Sequence, residues 1–184
     1  MYKKLSVLIP VYNERDTIRQ CIDAVLKADT RNLELEVIIS DNNSNDGTKE
    51  ILSKIQDKQI KILYRDSNNG KGANIKNALA NATGDLILFQ DGDLEYSPKD
   101  FPDLIEPFFL YRADVVYGSR LTRAKATSIV GFPNYIANII VTFLTNVLYN
   151  KVFTDIATGY KVFKSDVIKN LKITSDGFEI EPEI

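Results

Sequence analysis

Short apolar runs alternate with helix-spaced apolar repeats along the first half of this chain. Residues 5–11 (LSVLIPV) form a brief β-rich run, the pattern of a buried strand. Pro10 is expected to stop its ladder, because proline has no N–H to pair. Ile18, Cys21, Ile22, Val25 and Leu26 then recur at helical spacing, with Glu14 and Asp16 near the N-terminal turn. Residues 35–40 (LEVIIS) predict a second strand, and TKEILSKIQ a second helix. IKILY at 60–64 predicts a third strand, GKGANIKNALANA a loop and helix, and DLILFQ at 85–90 a fourth strand. This β-α-β-α-β-α-β order calls for an α/β fold, a mostly parallel, Rossmann-like sheet flanked by helices on both faces.

The second half is less regular. PKDFPDLIEPFFL predicts a helix, ADVVYGSR a short strand, residues 121–133 a loop, and VFTDIATGYKVFK a turn and closing strand. Residues 134–150 carry no charge. Asn134, Asn138, Thr142, Thr145 and Asn146 fall on one helical face there, with apolar residues elsewhere. The stretch suits either a membrane-interface helix or a core helix. No repeat or linker divides the chain, so residues 1–184 are expected to form one domain. FEIEPEI ends as if in mid-element, which predicts a chain truncated at its C-terminus.

Composition removes several chemistries. Apolar residues at 44% and charged residues at 26% are those of a globular chain. A net charge of −2 excludes nucleic acid as a partner, which needs a basic surface. Without histidine there is no Ser-His-Asp triad, no imidazole base and no His-ligated zinc. The lone Cys21 excludes an internal disulfide and reads as a small buried residue on the first helix, compatible with a reducing compartment. The N-terminus turns polar too soon for a secretory signal.

In an open parallel sheet, ligands bind beyond the C-terminal ends of the strands. Those ends carry Pro10-Val11-Tyr12-Asn13-Glu14, then Ser40-Asp41 running to Gly47-Thr48, Asn68-Asn69-Gly70-Lys71-Gly72, and Gln90-Asp91-Gly92-Asp93-Leu94-Glu95. Asp91 and Asp93, one residue apart at the tip of an apolar strand, suit a hard divalent cation. Gly92 leaves room for a sugar diphosphate to approach the backbone. On an extended segment Glu95 lies on the same side and would add a third oxygen. A plain surface turn is the competing reading of this motif. Asp41 suits a ribose or base contact, while Ser44 or Asp46 caps the next helix. Gly70-Lys71-Gly72 lacks the glycines of a dinucleotide fingerprint. It reads either as a loop bringing Lys71 near an anion or as a simple helix entry.

Taken together, residues 9–14, 41–48, 70–73 and 91–93 resemble the family 2 glycosyltransferases of GT-A fold. Residues 116–120 (VYGSR) and 154–163 (TDIATGYKVF) are similar to the polyprenyl-phosphate branch, which includes dolichol-phosphate mannosyl- and glucosyltransferases. The resemblance implies that Pro10, Tyr12, Glu14 and Asp41 cradle base and ribose, with Asp91 and Asp93 at the diphosphate and Mg²⁺ or Mn²⁺ on Asp93. Relatives often carry glutamine at Glu95 and a second acid at Asn42, so the chain departs from the pattern there.

The implied reaction is inverting transfer from a nucleotide diphosphate sugar, of GDP-mannose or UDP-glucose type, to a polyprenyl phosphate. Asp93, Arg120 and Asp155 are the expected catalytic residues. An anionic acceptor needs no strong base, and Arg120, with Arg123 and Lys125 on the next loop, is expected to hold its phosphate. Asp155 stays open between a base for a hydroxyl acceptor and an organiser of Thr158 and neighbouring backbone. A cytoplasmic protein, peripheral at a membrane surface, is the matching expectation. The rivals are a transferase acting on a glycan hydroxyl and a catalytically silent nucleotide-binding module.

Overall fold

A computed structural model describes residues 2–120 and 132–184, with side chains from 135 onward in the second stretch. Six strands form its sheet: β1 (Lys4–Val11), β2 (Glu34–Asp41), β3 (Ile60–Tyr64), β4 (Leu86–Phe89), β5 (Val115–Tyr117) and β6 (Lys161–Lys164). Their order is β3-β2-β1-β4-β6-β5. The four N-terminal strands pair in parallel, and β6 runs antiparallel between β4 and β5. The expected mostly parallel sheet is therefore present, with one reversed strand.

Alternation along the strands feeds two cores. Leu5, Val7, Ile9 and Val11 of β1 point into one cluster, with Val37 and Ile39 of β2 and Leu86 and Leu88 of β4. Helices α1 (Ile18–Leu26), α2 (Thr48–Leu52) and α4 (Phe101–Leu110) cover that face. Leu8, Ile38, Ile87, Phe89 and Phe163 point the other way, under α3 (Lys71–Leu79), α6 (Ser165–Asn170) and α7 (Ile180–Glu183). Cys21 is wholly buried on α1 as expected, and burial first, with Asp93 and Asp91 nearby, pushes its thiol up to about 12. Helix α2 is shorter than TKEILSKIQ suggested: beyond Leu52 only Ile55 packs against the core.

Pro10 does not end β1, which pairs with β2 through Val11. The carbonyls of Lys4 and Leu8 accept from Asp85 and Gln90 on the β4 side; those of Lys3 and Val11 accept from Glu34 and Asn42 on the β2 side. Even-numbered residues thus face β4. Pro10 is the next of them after Leu8 and has no N–H to offer, so it parts β1 from β4 only.

Helix α5 (Phe132–Tyr149) differs from the rest. Asn138 and Thr142 are buried, whereas Ile140, Phe143, Leu144, Val147 and Leu148 are each at least half exposed. It is not a core helix. Its polar stripe faces the protein and its apolar side faces out.

Glu36 ties the lower edge of the sheet together. It accepts hydrogen bonds from Ser6 Oγ, from Thr83 N at 2.8 Å and from Thr83 Oγ1 at 2.7 Å, with Lys4 Nζ at 3.1 Å. Burial alone would raise its carboxyl; these donors outweigh it and bring it to about 2. A lowered carboxylate pKa adds stability above its unfolded value and loses it as pH falls. Glu36→Gln is expected to lower the midpoint of thermal unfolding at neutral pH. The gap from wild type should close between about pH 4.5 and pH 2. A gap constant down to pH 2 would refute this account.

Candidate active site

The parting of β1 from β4 opens a pocket of about 280 Å³ at the C-terminal ends of the strands. Its lining includes Pro10, Tyr12, Glu14, Lys71, Asp91, Gly92 and Asp93, seven residues singled out by sequence. Asn42, Asn68, Asn74 and Phe178 line it as well. The volume is close to the lower end of small-molecule sites.

The Asp91 loop is held from behind. Gln90 is buried, donates to the carbonyls of Asp91 (2.9 Å) and Tyr96 (3.3 Å), and accepts from Tyr160 Oη at 2.7 Å. Tyr96 stacks on Tyr160 with centroids 4.6 Å apart and accepts from the Gly159 N–H at 2.8 Å. A Cβ on Gly159 would lie 2.4 Å from Asp91 Oδ2, so only glycine leaves that carboxylate in place. Gly92 is different, since a Cβ there would meet Glu14 Cγ at an ordinary 3.5 Å. Any demand for glycine at 92 comes from an occupant of the pocket, not from the fold.

The segment after Asp93 is not extended. Leu94 has φ 66°, and the Glu95 N–H turns back to Asp93 Oδ1 at 3.0 Å. The period-of-two placement of Glu95 beside Asp91 and Asp93 therefore fails. Among the described residues no group of three or more Asp, Glu, His or Cys side chains comes together as a metal cage. Two carboxylates fit the other common arrangement, in which Mg²⁺ or Mn²⁺ takes one or two acids and completes its shell with substrate phosphates and water. The corner is electronegative. Burial raises the pKa of Glu14 and of Glu95, and the charges of Asp93 and Asp91 push both further up.

Lys71 brings the balancing charge. Its Nζ lies 2.7 Å from Asp91 Oδ1 and 2.8 Å from Glu181 Oε1. Burial would lower its pKa, but these two acids override that and raise it. The flanking glycines have a structural purpose that neither sequence reading foresaw. The Gly72 and Ala73 N–H groups at the start of α3 donate to the carbonyls of Gly177 (3.1 Å) and Asp176 (3.0 Å). A Cβ on Gly70 or Gly72 would strike this backbone at 2.3 and 2.4 Å. The chain's own C-terminal segment thus covers the helix N-terminus and sets Phe178 at the pocket.

Asp41 is fully buried at the end of β2. One oxygen accepts the Ser44 N–H at 3.1 Å, which shapes the loop, and the other is without a hydrogen-bond partner. Asp46 takes the capping role, accepting the Thr48 N–H at 3.0 Å.

Arg120 and Asp155 form a second cluster, beyond β5 and β6. Asp155 accepts from Arg120 Nε (2.8 Å), Nη2 (2.9 Å) and backbone N (3.1 Å), and from Asn138 Nδ2 (2.8 Å). Burial would raise its carboxyl, yet the Arg120 bonds hold it below the usual range. Thr142 and Asn146 of α5 bind Ile156 N and the Phe153 backbone, so the helix's polar stripe carries this loop. Arg123 and Lys125 lie outside the described residues.

Sequence reasoning missed Glu181 and Lys161. Alternation offered one signal for the second. Lys161 shares its strand face with the core residue Phe163, and it is fully buried.

Comparison with known proteins follows the same outline. The family model for glycosyl transferase family 2 matches residues 6–172. The chain is 25% identical to a dolichol-phosphate mannosyltransferase of Pyrococcus furiosus over 98% of its own length and 52% of the relative. It is also 25% identical to a dodecaprenyl-phosphate galacturonate synthase of Rhizobium johnstonii, over 94% of this chain and 51% of that one. The chain thus spans about half the length of these two relatives. Glucosyl-3-phosphoglycerate synthase of Mycobacterium tuberculosis, in complex with uridine diphosphate, superposes with TM-score 0.74. The identity is 21%, with 98% of this chain and 63% of that one covered. The same synthase with Mn²⁺, UDP-glucose and phosphoglyceric acid gives TM-score 0.70 at 22% identity, with the same coverage. These likenesses establish the GT-A fold expected from the sequence.

The two glycines beside Asp91 should behave oppositely. Gly159→Ala is expected to cost about 1–3 kcal/mol through overpacking, read by chemical denaturation. Gly92→Ala is expected to leave the midpoint within about 0.5 kcal/mol of wild type. Equal effects at the two sites would contradict the geometry.

Proposed function

The chain belongs to glycosyl transferase family 2, and from that membership we propose that it transfers a sugar from a nucleoside diphosphate sugar to a polyprenyl phosphate. The observation that carries the donor half is the pocket between β1 and β4, with Asp91, Asp93 and Lys71 on its lining. Asp41, Tyr12, Pro10 and Glu14 serve the nucleoside, and Gly92 lets the diphosphate reach the backbone. Asp91 and Asp93 would hold Mg²⁺ or Mn²⁺, which supplies charge neutralisation to the leaving diphosphate. Glu95, turned back on Asp93, has a weaker case as a ligand. Lys71 offers an ammonium to the same anion. The M. tuberculosis synthase, crystallised with Mn²⁺ and UDP-glucose, supports this donor chemistry at the level of a shared fold.

The acceptor half rests on Asp155. A buried carboxylate that accepts four hydrogen bonds, three of them from one arginine, is a poor base. That arrangement favours an acceptor that arrives already ionised, as a lipid phosphate does. Asp155 then acts by orienting Arg120, with Arg123 and Lys125 as further phosphate contacts. An acceptor oxygen attacks the anomeric carbon, the bond from that carbon to the diphosphate breaks, and the nucleoside diphosphate departs with inversion. The names of the P. furiosus and R. johnstonii relatives, both built on polyprenyl phosphates, point the same way.

Among the described residues no helix is long and apolar enough to cross a membrane. The uncharged, outward apolar side of α5 supports peripheral contact with a lipid surface instead. Phe143→Asp with Leu148→Asp should reduce co-sedimentation with anionic lipid vesicles. Unchanged sedimentation of the double variant would argue against that contact.

The central test is a donor screen with UDP- and GDP-sugars, with and without Mn²⁺, scored by binding and by transfer to a polyprenyl phosphate. Asp91→Asn and Asp93→Asn are each expected to lower transfer by roughly 10²-fold or more, as loss of an electrostatic stabiliser does. Asp155→Asn should retain measurable transfer to the lipid phosphate. Absence of metal-dependent binding to any donor would sink the donor half. Efficient wild-type transfer to a sugar hydroxyl that collapses in Asp155→Asn would replace the acceptor half with the base reading.

A further inference from the structure

We infer that Lys161 is a positioning residue for the donor pocket: from inside the sheet it holds Glu181, and through Glu181 it sets Lys71 against Asp91. The inference rests on the donor reading above. It concerns a residue that does not line the pocket.

Lys161 is a charged side chain with no exposure, on a strand lying between β4 and β5. Its Nζ donates to the Glu181 carbonyl and lies 3.3 Å from Glu181 Oε2, with the Tyr117 ring centroid 5.1 Å away. The other oxygen of Glu181 is 2.8 Å from Lys71 Nζ, which in turn is 2.7 Å from Asp91 Oδ1. Four charges of alternating sign therefore run from the sheet interior to the pocket. Tyr117 Oη adds a bond to the Ile184 carbonyl at 2.5 Å, so β5 and β6 together grip the C-terminal turn.

Stability does not explain a lysine here. Burying an ion pair gains little over a well-packed apolar residue, and methionine would fill the same space. Position does explain it. Lysine is a flexible point charge on a four-carbon stem, and Lys71 is set between the carboxylates of Asp91 and Glu181, with the Phe178 ring centroid 5.9 Å from its Nζ. Asp91 is anchored by its own loop. Glu181 sits on α7, which Ile180 packs into the core, and Lys161 adds a hold on Glu181 itself at both the backbone and the side chain.

The test uses Lys161→Met, Lys161→Arg and Lys71→Ala in the full chain, with UDP and GDP as probes. Lys161→Met is expected to weaken binding of the preferred nucleotide about tenfold, the scale of one charge-assisted contact. KM for the donor should rise while kcat changes much less, and Lys161→Arg should recover part of the loss. Because both residues act through one contact, Lys161→Met on top of Lys71→Ala should add little. Wild-type affinity in Lys161→Met, or a fully additive double variant, would overturn the inference. If Lys161→Met does not fold, Glu181→Gln reads the same link from the pocket side, and unaltered affinity there overturns it. Amide exchange at residues 72–73 and 176–184, measured without nucleotide, should speed up in Lys161→Met or Glu181→Gln. Unchanged exchange refutes the anchoring even if the wild type binds neither nucleotide, an outcome that by itself would refute only the donor reading.

Discussion

Beyond Leu8 the first and fourth strands share no further hydrogen bonds, because the next position facing β4 is Pro10 and has no N–H to give. β1 keeps its partner on the other side through Val11, so it diverges from β4 without fraying. The gap falls where the sheet order turns from β3-β2-β1 to β4, the place where open α/β sheets bind ligands. Apart from Phe178, the pocket lining is carried there by the ends of those strands, the loops beyond them or the start of α3. Had the proline stood one residue earlier or later, it would have faced β2.

A crevice lined by acids is expensive unless something offsets their repulsion. Glu14 and Glu95 record that cost in their raised pKa values, burial first and the Asp93 and Asp91 charges after it. Lys71 offsets part of it from the α3 side. Its position depends on glycines at 70 and 72, which let the backbone at 175–177 close over the start of that helix. A helix N-terminus is a ready anion site in principle. Here the carbonyls of Gly177 and Asp176 already take the N–H groups of Gly72 and Ala73, and the Lys71 side chain supplies the positive charge beside Asp91.

The parallel half of this fold was legible because its signals are local. Apolar runs of strand length, helical repeats between them and polar residues at each strand end need no tertiary information to be read. Seven of the pocket residues were recognised that way. What failed was inference about backbone direction over a few residues. Pro10 was read as a terminator when its effect depends on which neighbour it faces. Glu95 was aligned with Asp91 and Asp93 on an extended segment that turns at Leu94. Glu181 escaped notice because its importance is set by partners 20 and 110 residues away, Lys161 and Lys71. The charged residue at a core position of β6 was the one local hint of that long-range contact.

The two clusters are held by different means, and this bears on what each can do. Asp91 is gripped by backbone and packing: Gln90 behind it, Gly159 against its carboxylate, Lys71 in front. Asp155 is held by Arg120 and by Asn138 of a helix whose outer side is bare of charge. Its ionised form is stabilised by three bonds from one guanidinium-bearing residue, so a proton taken up by Asp155 would break the pair that orients Arg120. A carboxylate in that position does better keeping an arginine aimed than accepting a proton. The helix that holds the pair on its polar stripe turns its apolar residues outward, so the two sides of α5 are divided between the Asp155 loop and the surface.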